Sequence, residues 1–324
     1  MVKRLLIIAT ITGLAHVFTV FVLRQLASFA PVLQVRLVGE TDSMVNLVIA
    51  VIAGGLVMSS VRDFALAEDW KVLYGQSQQA RISLGIILMP LALLTFISPA
   101  YLVFLISPVL ALNGDYLLYG RGKPVLAAVL SFARVFVPSL AVMIASYLAP
   151  AAIAWWFAIA TLLIYLLSGY FISKRFGVPY WYKPKFHALQ LYLTSLPTGI
   201  VSVSYYFMGL GLIAFGGSLY STTTIAVTYI AVKIYVIYKG VLRIVTQSFF
   251  RDMVDDAVCL KIDMIGSLCG LGFFLSCVCF SGSVSQFFFN SASKADHSWI
   301  LLTAATGFMI SPFISLTSRV LLDK

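Results

Sequence analysis

Long apolar runs alternate with short polar stretches along the whole chain. A helix that crosses a bilayer needs about 20 apolar residues, because roughly 30 Å of hydrocarbon is climbed at about 1.5 Å per residue. Ten runs come near that length: 5–23, 44–61, 83–99, 101–118, 125–147, 151–171, 191–213, 222–241, 264–282 and 299–318. The stretch 83–118 is nearly continuous and is divided at Ser98-Pro99-Ala100, where proline marks a turn. The period-two alternation of barrel strands is absent. The pattern therefore predicts an all-α polytopic membrane protein of about ten transmembrane helices. The N-terminus, Met1-Val2-Lys3-Arg4 and then an apolar run, resembles a signal peptide. No small-residue cleavage site follows, so the run is read as the first membrane helix.

Composition supports that pattern. The 324 residues are 61% hydrophobic and 10% charged, with mean hydropathy +0.99, whereas a soluble domain is about half apolar and a quarter charged. A net charge of +10 raises the question of nucleic acid. No basic run with interleaved aromatics is present, and no nucleic-acid partner is expected. The basic residues orient the helices instead. With the N-terminus inside, Lys3, Arg4, Arg62, Lys71, Arg81, Arg121, Lys123, Lys174, Arg175, Lys183, Lys185, Lys239, Arg243, Arg251, Lys261, Arg319 and Lys324 fall in inner segments or at inner span ends. Arg24, Arg36 and Lys294 fall outside, and Arg134 and Lys233 fall within spans. Tyr101, Tyr147, Trp155, Trp156, Tyr220 and Trp299 cluster near outer ends, as an interfacial belt does. The expected setting is a membrane, multi-pass, with a cytoplasmic N-terminus.

Six spans precede the longest basic loop, 172–190, which carries Pro179 and Pro184. This predicts a first six-helix bundle over 1–171, a cytoplasmic inter-bundle loop over 172–190, and a second bundle over 191–324. No loop is long enough to fold alone. The first outer loop holds only the acids Glu40 and Asp42. There is no phosphate-binding glycine loop, no paired carboxylates, no Ser/His/Asp set and no histidine cluster, so neither an enzyme nor a nucleotide or metal cofactor is expected. Cys259, Cys269, Cys277 and Cys279 read as small apolar fillers rather than a disulfide framework.

Charges inside spans cost about 2.5–3.5 kcal/mol each on insertion scales, which makes them candidates for function. Arg134 lies near mid-membrane in 125–147. It is either a structural arginine paired to an acid or backbone carbonyls, or a cation lining a cavity for an anionic substrate. Lys233 lies about two turns from the inner end of 222–241, too deep to snorkel easily, and shares a face with Tyr229. Asp115 is either a solvated acid at an inner end or a cavity residue. His16, in the first span, either titrates near neutral pH or packs through a hydrogen bond. Pro197, with Gly199, interrupts 191–213, and interrupted helices in transporters mark substrate regions or hinges. The scarcity of acids inside spans, against two bases, favours an anionic substrate.

Three stretches, in order, carry a resemblance. Asp115-Tyr116-Leu117-Leu118-Tyr119-Gly120-Arg121-Gly122 is followed by Arg134 in the next helix; Leu196-Pro197-Thr198-Gly199 opens the seventh; Tyr229-Ile230-Ala231-Val232-Lys233 lies in the eighth. The chain resembles the O-antigen and capsular oligosaccharide flippases of the multidrug/oligosaccharidyl-lipid/polysaccharide exporter superfamily. That resemblance implies a two-bundle exporter fold around a central cavity. It implies alternating access and translocation of an undecaprenyl-diphosphate-linked oligosaccharide from the inner to the outer leaflet. It places the anion-binding role on Arg134 and Lys233. Expected partners are the lipid-linked substrate, membrane lipids, and a polysaccharide polymerase and chain-length regulator. Two departures stand out. The family usually has about twelve spans and an acid midway along the seventh helix. Ten spans are read here, so the second bundle looks incomplete, as in a truncated or short member, and Ser204-Tyr205-Tyr206-Phe207 replaces the acid. The alternatives are a multidrug antiporter of the same superfamily, and an O-antigen polymerase or polytopic glycosyltransferase. The last two would present a large outer loop.

Overall fold

A computed structural model of the chain describes residues 2–56, 60–61, 63–64, 67–216, 219–249, 256–289, 298, 305 and 308–309. Every regular element among them is helical. The order is α1 (Val2–Phe29), α2 (Val32–Ala53), α3 (Trp70–Leu88), α4 (Ser107–Leu110), α5 (Asp115–Gly120), α6 (Pro124–Leu148) and α7 (Ile153–Phe176). Then come α8 (Gln190–Thr194), α9 (Leu196–Tyr206), α10 (Leu212–Gly216), α11 (Thr222–Phe249), α12 (Asp256–Cys279) and α13 (Ser281–Phe289). The expected span 299–318 lies outside the described residues apart from 305, 308 and 309.

Six helical stretches among the described residues are long and apolar enough to cross a membrane: Thr10–Phe29, Trp70–Phe96, Pro99–Gly120, Pro124–Leu148, Pro150–Phe176 and Ala257–Cys279. Helix α7 shows what surrounds them. Trp155, Ile159, Leu163 and Leu167 recur every fourth residue and are exposed, while Thr161 and Ser168 are buried. A helix in water turns its apolar stripe inward. Here the outer stripe is the apolar one, which suits a hydrocarbon solvent. The buried hydroxyls satisfy themselves locally: Thr161 donates to the Phe157 carbonyl at 2.8 Å and Ser168 to the Ile164 carbonyl at 2.7 Å.

Prolines set the breaks. Helix α3 tightens into a 3-10 segment, Met89–Phe96, where Pro90 has no N–H to give. The expected division at Ser98-Pro99-Ala100 is present: Ser98 is extended and its side chain accepts from the Ala100 N–H. The interrupted 191–213 region is α8, α9, a π-helical turn at Phe207–Gly211, and α10. Pro197 takes one of the first two positions of α9, where its missing N–H is harmless.

The chain packs as two compact units, Met1–Val32 with Ala226–Lys324, and Leu33–Ile225. These units differ in kind from the transport bundles expected on either side of 172–190, and that division stays a proposal. Two placements correct the sequence reading. Glu40 and Asp42 are not in an outer loop but buried on α2. Arg81 is not at an inner span end but fully buried within α3, which begins at Trp70.

Candidate functional site

In the Leu33–Ile225 unit, two arginines converge on Asn113, in the turn between α4 and α5. The Arg81 Nη1 donates to the Asn113 backbone carbonyl at 2.5 Å. Arg134, from α6, donates to the Asn113 side-chain oxygen and to the carboxylate of Asp115. Aromatic rings close the two guanidinium groups off: Tyr116 lies 4.9 Å from Arg81 and Tyr165 lies 5.4 Å from Arg134. The turn reaches this position because residue 114 is glycine. A Cβ there would stand 2.6 Å from the Ile172 Cδ1 and 3.1 Å from the Tyr74 hydroxyl.

Helix α3 supplies the rest of the polar face. Tyr74, Ser77, Gln78 and Arg81 are spaced at three and four residues and all are buried. Gln78 donates to the Tyr74 hydroxyl at 2.9 Å, and Ser77 meets the Tyr116 hydroxyl at 3.4 Å. Pro138 adds a backbone effect on α6. It lies inside the helix and has no N–H for the Arg134 carbonyl one turn back.

The charge balance of this cluster is positive. Arg134 has Asp115; among the described residues Arg81 has no carboxylate in ion-pair range, and its Nε has no hydrogen-bond partner. The structure thus brings together Arg134 and Asp115, two of the residues singled out from the sequence. Asp115 is no solvated end acid, since its side chain is 16% exposed and paired.

The same unit has an open apolar groove of about 570 Å³, with Val51, Gly54, Leu84, Tyr192, Gly199 and Phe207 among its walls. Leu84 lies three residues beyond Arg81, about 5 Å along the helix axis. One end of the groove depends on a glycine pair. Gly54 has φ +44°, and a Cβ at Gly199 would stand 2.7 Å from the Gly54 carbonyl oxygen. Pro197 is next to this contact and is exposed.

A second polar cluster lies on α2. Glu40 accepts from Arg36 at 2.6 Å and from the Ser98 hydroxyl. Asn46 donates to the Asp42 carbonyl and carboxylate at 2.7 and 3.2 Å. Tyr206 donates to the Ser43 carbonyl at 2.8 Å, which ties α9 to this cluster. Arg36, Glu40 and Asp42 together carry one excess negative charge.

The remaining predicted residues are in the other unit. Lys233 lies 5.6 Å from the Tyr229 ring, one turn back on α11. His16, half-buried on α1, feels the Lys233 charge, and its Nε2 has no hydrogen-bond partner among the described residues. The six sequence candidates thus divide into Asp115, Arg134 and Pro197 in one unit and His16, Tyr229 and Lys233 in the other. Arg81, Asn113, Glu40 and Asp42 were missed. The spacing of Tyr74, Ser77, Gln78 and Arg81 was the available signal for Arg81, a helical stripe of polar residues running into an apolar span.

No protein-family model matches the chain, and no curated protein matches it. Solved structures do. A multidrug resistance MATE family transporter of the MOP superfamily, in its inward-facing conformation, superposes with TM-score 0.61 at 16% identity, over 98% of this chain and 88% of that one. MATE in complex with MaL6 gives 0.57 at 15% identity, over 99% and 84%. MATE in complex with MaD3S gives 0.53 at 13% identity, over 99% and 81%. The chain has the all-helical MATE-like exporter fold.

Proposed function

We propose that the protein is an alternating-access transporter that moves an undecaprenyl-diphosphate-linked O-antigen or capsular oligosaccharide across the bacterial inner membrane. The observation that supports this reading is that Arg81, buried and without a carboxylate partner among the described residues, stands about one helical turn from Leu84 of the groove wall. An isoprenoid diphosphate is an anion on a hydrocarbon chain, and this unit holds a buried cation about one helical turn from a hydrocarbon wall. Arg81 and Arg134 would meet the diphosphate, with Asp115 and Asn113 holding Arg134 in place. Lys233, beside Tyr229, would be the anion-binding cation of its own unit. Pro197 and Gly199 would form the hinge of the groove wall, and His16 would tune Lys233. The N-terminus would face the cytoplasm, as the basic residues expect. Flipping a lipid within the bilayer needs no hydrolysis, so the reading requires no nucleotide site.

Complementation tests it. Expression in a flippase-null strain is expected to restore the O-antigen ladder, and Arg81→Gln to remove it while the protein still inserts. An empty ladder from well-inserted wild-type protein would rule the reading out.

The α2 cluster favours a second reading, a cation-coupled multidrug antiporter. Buried acids at Glu40 and Asp42 weaken the argument from scarce intramembrane acids, and the structural neighbours include a multidrug resistance transporter. That reading predicts drug efflux driven by a cation gradient and lost in Asp42→Asn.

A further inference from the structure

Four of the membrane-length stretches have an end in one place: Trp70, Gly120, Pro124 and Phe176 are their terminal residues. Trp70 and Phe176 meet there edge to face, with ring centroids 5.8 Å apart. Three cations converge on this pair. The Arg121 guanidinium lies 5.1 Å from the Trp70 ring and the Lys71 ammonium 5.7 Å from the same ring. The Lys123 ammonium lies 5.1 Å from the Phe176 ring. Arg121 is held in place by a bond from its Nη1 to the Phe64 carbonyl at 3.2 Å.

The helix ends around these cations are of both signs. Lys71 is in the first turn of α3, and Lys123 is the N-cap of α6. Helix N-termini carry partial positive charge and favour anions. Acids are near in sequence, at Glu68 and Asp69, but both are exposed and Asp69 makes no side-chain cap. Among the described residues none of the three cations has an ion-pair partner. Arg121 is the C-cap of α5 and the Lys71 Nζ lies by Gly177, the C-cap of α7, so three cations without an acid partner gather where helix ends of both signs meet, on rigid aromatic supports, at the level where membrane spans stop. Basic pockets between helices at that level suit lipid headgroups.

We propose that Lys71, Arg121 and Lys123 form a binding site for the phosphate headgroup of an anionic glycerophospholipid of the bilayer. The aromatic rings hold the cations at fixed positions, and the N-termini of α3 and α6 add to the field. The site is separate from the Arg81–Arg134 cluster and does not depend on what the protein transports. A phospholipid bound here would fix the ends of α3, α5, α6 and α7 relative to the membrane surface.

Binding to purified full-length protein in detergent tests the site, with phosphatidylglycerol, phosphatidylcholine, inorganic phosphate and an isoprenyl diphosphate as separate probes. Phosphatidylglycerol is expected to bind and to raise the melting temperature, with phosphatidylcholine and inorganic phosphate far weaker. The K71Q/R121Q/K123Q variant is expected to lose affinity by about fivefold per charge, on the order of a hundredfold in all. The K71Q/K123Q variant, which keeps the Arg121–Phe64 bond, guards against a folding defect and is expected to lose about twenty-five-fold. Equal binding of phosphatidylcholine, or undiminished phosphatidylglycerol binding in both variants, overturns the proposal. Displacement of phosphatidylglycerol by the isoprenyl diphosphate also overturns it, by assigning the site to the transported lipid.

Discussion

Arg134 on α6 donates to the carboxylate of Asp115, nineteen residues earlier on α5, within a unit whose outer faces are apolar. Removing one partner of a buried pair leaves an uncompensated charge and costs about 3–5 kcal/mol. Asp115→Asn should therefore lower the melting temperature in detergent markedly. The D115L/R134M double variant should recover much of that loss, because neither charge remains. A double variant as unstable as the sum of the singles would show that the pair is not coupled.

Arg81 carries the excess charge of the same cluster, so its effect should appear in binding more than in stability. Arg81→Gln is expected to weaken binding of an isoprenyl diphosphate to purified protein by about tenfold or more, since a hydrogen bond to a charged group contributes about 1.5–3 kcal/mol. Arg81→Lys keeps the charge without the planar fork and should fall between. Unchanged affinity in Arg81→Gln would remove it from the site.

Gly199 and Gly272 make a matched pair of tests. A methyl at 199 meets the Gly54 backbone oxygen at 2.7 Å, whereas one at 272 meets nothing within 4 Å. Overpacking typically costs about 1–3 kcal/mol. Gly199→Ala should destabilise, and Gly272→Ala, in mid-helix, should stabilise slightly by removing backbone freedom. Thermal melts of the two variants check this, and equal melting temperatures would contradict the close contact of Gly199 with Gly54.

Tyr182, in the loop after α7, has its phenol pushed up to about 12 by burial and then by Tyr116. Its neutral form is favoured in the folded state. The sign follows: this contribution to stability is complete below pH 10 and is lost as pH rises through 12. Absorbance titration of wild type against Tyr182→Phe should show one tyrosine fewer ionising near 12. Loss of a tyrosine titrating near 10 instead would mean that the loop is not packed on Gly75 and Tyr74.

Helix character and the breaks at Ser98-Pro99-Ala100 and Pro197 were legible, because apolar length and proline act locally. Arg134 was legible as a charge in an apolar run, but Asp115 read as a solvated end acid or a cavity residue, and its pairing with Arg134 appears only in the fold. Arg81, Glu40 and Asp42 were not, for one physical reason. Each stands in a helix whose polar residues pack inward, so an apolar-length criterion ends the span before reaching them. Asp42 bonds Asn46 one turn along α2, but Asn113 and Ser98, partners of Arg81 and Glu40, are 32 and 58 residues away in sequence. Only packing brings such residues together.

Leaflet exchange of a fluorescent isoprenyl-diphosphate oligosaccharide in proteoliposomes tests the transport account most directly. Wild-type protein is expected to expose the sugar to an external glycosidase, with the rate reduced in Arg81→Gln and Arg134→Ala. Absence of exchange by wild-type protein that instead exports a cationic dye along a proton or sodium gradient would contradict it.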